Sequence, residues 1–194
     1  MPEVFVSIGS CIRREENVIT AVTALQSRFG RIRLSSVYET EAVGFAGQPF
    51  YNLVVSFKSN DTPMQLKKYF REIEYRQGRS RDVEMPGPCP LDIDLLLYGD
   101  LIVETNDLKL PREDVLKHAY VLEPLAELAP YHCYPGTRQH YLDLWFAHYQ
   151  KHQSKALSRL HWNPLSKPAV SYRGWCFPDY TLGLSSCSTT ARHS

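Results

Sequence analysis

The sequence predicts an α+β fold: a ferredoxin-like βαββαβ core, mostly antiparallel, with helices on one face of the sheet and extra helices towards the C-terminus. Three observations predict it. Short β-branched or alternating runs and helical apolar stripes follow one another in that order between residues 4 and 98. Glycines stand where the elements should stop, at Gly9, Gly30, Gly78 and Gly99. The 194 residues, 43% of them hydrophobic, suffice to bury one core of ordinary domain size.

Val4 to Ile8 is short and β-branched and runs into Gly9-Ser10, the pattern of a strand entering a loop. Val18, Val22, Leu25 and Phe29 then form one helical stripe before Gly30. Residues 31 to 38 alternate again, and Phe50 to Phe57 is strand-like. Asp61-Thr62-Pro63 opens a second helix, in which Leu66, Phe70 and Ile73 share a face and Gly78 ends the run. After a charged, proline-rich loop, Leu91 to Tyr98 forms the last strand of the core. Downstream, Leu101 to Val103 with Leu108 to Leu110 suits an edge hairpin, and residues 115–128 and 139–151 suit two shorter helices. The expected division is a domain over residues 1–162 and a poorly ordered tail over 163–194, where prolines and a Ser/Thr-rich run carry no periodicity.

The formal net charge of +1 argues against a general nucleic-acid binder, since no broad basic field is available to neutralise phosphates. An RNA-binding ferredoxin-like sheet would also need a Gly-Phe-x-Phe-type platform, which the sequence lacks. The five cysteines are odd in number and form no C-x-x-C pair, as in reduced cytosolic thiols. His148 and His152 share a helical face, but no acidic partner completes a zinc set. Without a signal-like N-terminus or a long apolar run, the expectation is a cytoplasmic monomer that engages neither membrane nor nucleic acid.

The chemistry concentrates in Leu91-Asp92-Ile93-Asp94-Leu95-Leu96-Leu97-Tyr98. Strand alternation sends Leu91, Ile93, Leu95 and Leu97 one way and Asp92 and Asp94 the other. Their Cα atoms should lie ~7 Å apart, a spacing from which both carboxylates reach a pair of Mg²⁺ ions with phosphates between them. The same pattern also fits two aspartates that merely solvate the outer face of an amphipathic strand. Phe50 and Asn52, two apart in a strand, offer an aromatic plate beside an amide, which suits a flat heterocycle with an amide-like edge; a core aromatic beside a surface asparagine is the plainer alternative. Arg79 and Arg81 follow Gly78 on the loop leading to the aspartates, where guanidinium forks can clamp phosphates.

Ser-Ile-Gly-Ser, Tyr38-Glu39-Thr40, Gln48-Pro49-Phe50-Tyr51-Asn52, Gly78-Arg79-Ser80-Arg81, Gly87-Pro88-x-x-Leu91-Asp92-Ile93-Asp94-Leu95, Leu110-Pro111 and Tyr120-Val121-Leu122-x-Pro124-Leu125-x-Glu127-x-Ala129-Pro130 occur in order. In these motifs, over roughly residues 4 to 130, the chain resembles the 6-hydroxymethyl-7,8-dihydropterin pyrophosphokinases. The resemblance implies transfer of diphosphate from Mg·ATP to the pterin hydroxyl, with release of AMP, in folate biosynthesis. It implies that Asp92 and Asp94 hold two Mg²⁺ ions. Phe50 and Tyr120 would sandwich the pterin, Asn52 would bond its edge, and Thr40, Ala42 and Val43 would line its wall. Glu74, Arg71 and His118 would belong to the nucleotide site. Arg79, Arg81 and Arg112 would act on the phosphates, the first two from a closing loop.

Four positions depart from the family pattern. Cys11 stands where an asparagine is usual, Cys89 where an arginine follows Gly-Pro, Arg112 where a histidine follows Leu-Pro, and His118 where a further arginine is usual. Each lost charge-assisted contact would cost about 1.5–3 kcal/mol, or roughly tenfold to a hundredfold in rate. Two alternatives to an active transferase therefore stand: a paralogue of altered specificity, and a non-catalytic binder of a pterin or nucleotide.

Overall fold

The computed structural model of the chain describes residues 1–41, 48–79, 90–152 and 157–166. The core elements are β1 (Glu3–Ser10), α1 (Arg14–Phe29), β2 (Ile32–Leu34), β3 (Val37–Thr40), β4 (Phe50–Lys58), α2 (Pro63–Arg76) and β5 (Asp92–Tyr98). Beyond them come β6 (Val103–Glu104), β7 (Lys109–Leu110), α3 (Asp114–Lys117), α4 (Ala119–Leu128), α5 (Tyr141–His152) and β8 (Ser158–Leu160). The main sheet runs β5-β1-β4-β3-β8, with β2 also on β4, and every pairing in it is antiparallel. This is the ferredoxin-like order; the segment between α1 and β4, read as one alternating stretch, is broken into β2 and β3.

Local chemistry accounts for the helix ends. Thr62 caps α2 by accepting from the Gln65 N–H while the Gln65 side chain accepts from the Thr62 N–H, and Pro63 occupies the first turn where no N–H is needed. Gly30 (φ 72°) and Gly78 (φ 91°) follow α1 and α2 in the left-handed region that costs other residues a steric penalty. Val18, Val22 and Leu25 of α1 and Leu66, Phe70 and Ile73 of α2 bury their stripes against Val4, Val6, Ile8, Leu53 and Val55 of the sheet.

The opposite face is divided. Part of it is covered by α4, where Val121, Leu122 and Leu125 pack with Phe5, Val54 and Leu96, and Tyr141 of α5 is buried in the same cluster. The C-terminal helices are thus the second cover of the sheet, while Asp92 and Asp94 at one end of this face stay partly exposed. The helical stretch expected over 115–128 is interrupted at His118, whose extended backbone (φ −121°, ψ 124°) separates α3 from α4. The hairpin expected near 101–110 is the small β6–β7 pair, and β8, which has no clear alternation, was not anticipated from sequence. One strand assignment needs correction. The β1–β5 register slips between Phe5 and Val6, so that Leu96 is an extra residue and Leu97 joins Leu96 in the second cluster instead of facing the helices with Ile93 and Leu95. No described helix is long and apolar enough to cross a membrane.

Candidate active site

Strand register assembles the site. Tyr38 lies opposite Asn52, Asn52 opposite Gly9, and Gly9 opposite Asp92, so one row crosses four strands. Directly opposed residues of antiparallel strands share a face. Thr40 with Phe50 extends the face at one end, and Ser7 with Asp94 at the other. The Asn52 amide, buried in the sheet, donates to Thr40 Oγ1 at 2.8 Å, which orients its remaining polar atoms. At Gly9 an added Cβ would stand 3.3 Å from Asn52 Oδ1 and 4.0 Å from the Phe50 ring. The missing side chain leaves a floor on which a flat ring can lie beside both. The expected residues Thr40, Phe50 and Asn52 are therefore brought together, whereas Ala42, Val43 and Arg81 lie outside the described residues.

Asp92 and Asp94 both project from this face, and each holds an arginine. Arg79 pairs with Asp92 and, at 3.1 Å, with Glu74. Arg112 reaches Asp94 at 3.0 Å through Nη2 and Asp114 at 2.5 Å through Nε. Burial, with Asp92 alongside, pushes the Asp94 carboxyl up to about 6, and Arg112 and Arg79 draw it back. Two crowded carboxylates with only hard oxygen donors suit Mg²⁺, whose charge would relieve the repulsion between them. The residues present fit the metal that the motifs imply.

Glu74 has a structural task in addition to its place at the site. Buried at 6% exposure, it accepts the Ile93 N–H at 2.7 Å, satisfying a backbone donor on the outer edge of the edge strand β5. Its burial pushes the carboxyl up to about 7 against the opposing pull of that N–H and of Arg79.

A cavity of about 1150 Å³ opens between α2, β5 and the β7–α3 connection. It is lined by Lys67, Lys68, Arg71, Arg79, Lys109 and Arg112, with Asp92, Asp94 and Glu74 at its inner wall. Sequence reasoning singled out three of these cations and missed the lysines. The signal was present: Met64, Lys67, Lys68, Arg71 and Tyr75 recur at helical spacing on the side of α2 away from its buried stripe. Lys67 also spans the cleft, donating to the Asp107 carbonyl at 2.6 Å. His118 and Tyr120 stack at 4.9 Å and 16°, and His118 stands 3.6 Å from Asp114. Burial, then the charges of Asp114, Asp94 and Asp92, raises the Tyr120 phenol above its ordinary range, so its hydroxyl feels the carboxylate cluster.

Other positioning groups were not anticipated. Ser10 Oγ and Asn17 Nδ2 both donate to the Pro90 carbonyl, at 2.5 and 2.8 Å, and fasten the approach to β5 to the end of β1 and the first turn of α1. Arg14 donates to Glu39 at 2.9 Å and to the Pro49 carbonyl at 3.0 Å, and lies 4.2 Å over the Tyr51 ring, securing the strand start that bears Phe50 and Asn52. Cys11, the first departure from the family pattern, is a buried residue at this junction; Cys89 lies outside the described residues.

Comparison with known proteins bears on the family and the fold. The family model for 7,8-dihydro-6-hydroxymethylpterin-pyrophosphokinase matches residues 5–130. The 2-amino-4-hydroxy-6-hydroxymethyldihydropteridine pyrophosphokinase of Pseudomonas aeruginosa is 37% identical over 131 residues, covering 66% of this chain and 80% of that protein. The proteins of the same name from Bacillus subtilis (33% identity, 64% of this chain and 76% of theirs) and Aquifex aeolicus (31%, 72% and 88%) are similar along the same stretch. Among solved structures, Plasmodium falciparum HPPK-DHPS superimposes with a TM-score of 0.62 at 14% identity, over 79% of this chain and 44% of that one, a likeness of fold. The chain belongs to the 7,8-dihydro-6-hydroxymethylpterin-pyrophosphokinase family.

Proposed function

We propose that this chain transfers the diphosphate of ATP to 6-hydroxymethyl-7,8-dihydropterin on the open end of the sheet, with Asp92 and Asp94 as the ligands of two Mg²⁺ ions. The reaction is that of its family and of its bacterial relatives, an ATP-dependent pyrophosphokinase step in folate synthesis. The pterin hydroxymethyl oxygen attacks the β-phosphorus of ATP, the bond from that phosphorus to the α-bridging oxygen breaks, the hydroxyl proton is lost and AMP leaves. The observation that carries the residue assignment is the continuity of one sheet face, from the Asn52–Gly9–Phe50 floor through Asp92 and Asp94 to the cation-lined cleft.

Bound Mg²⁺ supplies Lewis-acid neutralisation of the phosphate oxygens. The protein's part is placement and electrostatics. Asn52 and Thr40 bond the pterin edge, Phe50 and Tyr120 bracket its ring, and Gly9 leaves room for the plane. The family resemblance assigns Ala42 and Val43 to the pterin wall and Arg81 to the phosphates. Arg71, Glu74 and His118 serve the nucleotide, with Lys67, Lys68 and Lys109 as further phosphate ligands. Arg79 and Arg112 hold the phosphates in flight; Arg112 stands in for one of the cations that Cys89 and His118 replace. Both halves of the site lie on one chain, which supports a monomer acting on small molecules; we place it in the cytoplasm, apart from nucleic acid and membrane. The working unit is residues 1–162, with 163–194 as an appended tail.

The test is AMP formation by the full chain from Mg·ATP and reduced 6-hydroxymethylpterin, with the Asp92→Ala/Asp94→Ala double variant as control. Pterin-dependent AMP that vanishes in the control supports the assignment. Pterin binding without AMP would favour a non-catalytic relative, and AMP that persists in the control would place the metal elsewhere.

A further inference from the structure

The two aspartates assigned to metal are already engaged with cations of the protein's own. Arg112 is the more telling case. Its backbone N–H donates to the Leu96 carbonyl at 3.0 Å, which ties its main chain to β5. Its Nε is held by Asp114 at 2.5 Å, while Nη2 reaches across to Asp94 at 3.0 Å. The guanidinium is therefore anchored at its inner nitrogen, and a turn about that anchor moves the outer nitrogens away from Asp94 without disturbing the backbone. The direction available is the cleft, which Arg112 itself lines. A triphosphate there presents pairs of anionic oxygens that a guanidinium fork can engage through two parallel hydrogen bonds.

We infer that Arg112 is an internal counter-cation of Asp94 which a divalent metal has to displace, so that the metal site is completed only when a bound triphosphate takes up the released guanidinium. The inference rests on the reading of Asp92 and Asp94 as metal ligands. Without nucleotide, metal and arginine compete for the same carboxylate, and the displaced guanidinium meets only water. With nucleotide, Arg112 exchanges one anion for another, and metal and arginine no longer oppose each other. Arg79 likewise pairs with the other ligand, Asp92, and has Glu74 as a second carboxylate, both through Nη1. The aspartates are thereby protected from idle metal, and metal loading is coupled to arrival of the triphosphate.

The experiment is titration of the full-length chain with Mn²⁺, following the loss of the free-ion electron paramagnetic resonance signal at fixed ionic strength, with and without α,β-methylene-ATP. Wild type, Arg112→Gln and Arg112→Lys are compared, each first shown to melt cooperatively. Removing the competing charge should tighten nucleotide-free Mn²⁺ binding about fivefold in Arg112→Gln, the upper range for a partly exposed ion pair, whereas Arg112→Lys should stay nearer the wild type. With the analogue present the advantage of Arg112→Gln should disappear or reverse. Equal nucleotide-free affinities in wild type and Arg112→Gln would overturn the proposal, as would an advantage of the same size with and without analogue. Loss of Mn²⁺ binding in every protein, analogue or not, would overturn the metal assignment together with it.

Discussion

At the residue scale, identity matters most where a side chain answers to two neighbours. Asp94→Asn keeps the size of the side chain and removes its charge; turnover should fall on the order of a thousandfold while the fold survives, as read by AMP formation beside a melting curve. Gly9→Ala puts a methyl group 3.3 Å from Asn52 Oδ1 on the pterin floor. It should weaken pterin binding about tenfold and leave ATP binding nearly unchanged, as separate fluorescence titrations would read. Glu74 makes a prediction about stability. With its carboxyl raised to about 7 in the folded protein from an ordinary value of 4.5, the metal-free native state holds a proton that the unfolded chain has released across that interval. Stability should therefore fall as pH rises from 4.5 to about 7 and level off above it, by up to on the order of 3 kcal/mol from this group. Glu74→Gln preserves an acceptor for the Ile93 N–H and should flatten that part of the profile in denaturant melts. A steeper fall in the variant would contradict the assignment.

At the scale of elements, period-two alternation was enough to place Asp92 with Asp94 on one side of β5 and Phe50 with Asn52 on one side of β4, because pleat geometry is local. The same rule failed at Leu97, because a bulge is imposed by the partner strand and leaves no mark in the alternation of β5 itself. It was equally silent on β8, whose place beside β3 depends on Glu127. That carboxylate accepts from Tyr38 at 2.9 Å, from Ser36 Oγ at 2.8 Å and from Arg159 at 2.8 Å, and so fastens β3 and β8 to α4. Glu127→Ala leaves these donors without their acceptor. The expected result is a loss of about 2–4 kcal/mol in denaturant melts, with faster amide exchange in Ser158–Leu160 than in β4. Leu122, at 1% exposure on the buried side of α4, tests the second cover of the sheet. Truncation to alanine should cost about 2–5 kcal/mol, a figure that a helix merely resting on the surface would not give.

At the scale of the whole molecule, charge is concentrated although the chain is nearly neutral at +1. Six basic side chains among the described residues line one cleft, so raising salt from about 0.05 to 0.5 M should raise the KM for ATP several-fold and change the KM for the pterin little. On the proposal that residues 1–162 are the working unit, a chain ended after Ser166 should keep its activity and a melting temperature within about 3 °C of the full chain. The sequence by itself determined the order of the core elements, the faces that most of their residues share, and the family, because periodicity, capping and motif spacing are properties of short stretches of chain. Only the tertiary structure decided that Asn52, Gly9 and Asp92 stand in one row, that the lysines of α2 face the aspartates across a cleft, and that Arg79 and Arg112 occupy those aspartates. These depend on strand register and on the packing of elements tens of residues apart, where burial of the two apolar clusters selects one alignment among many that the local pattern allows.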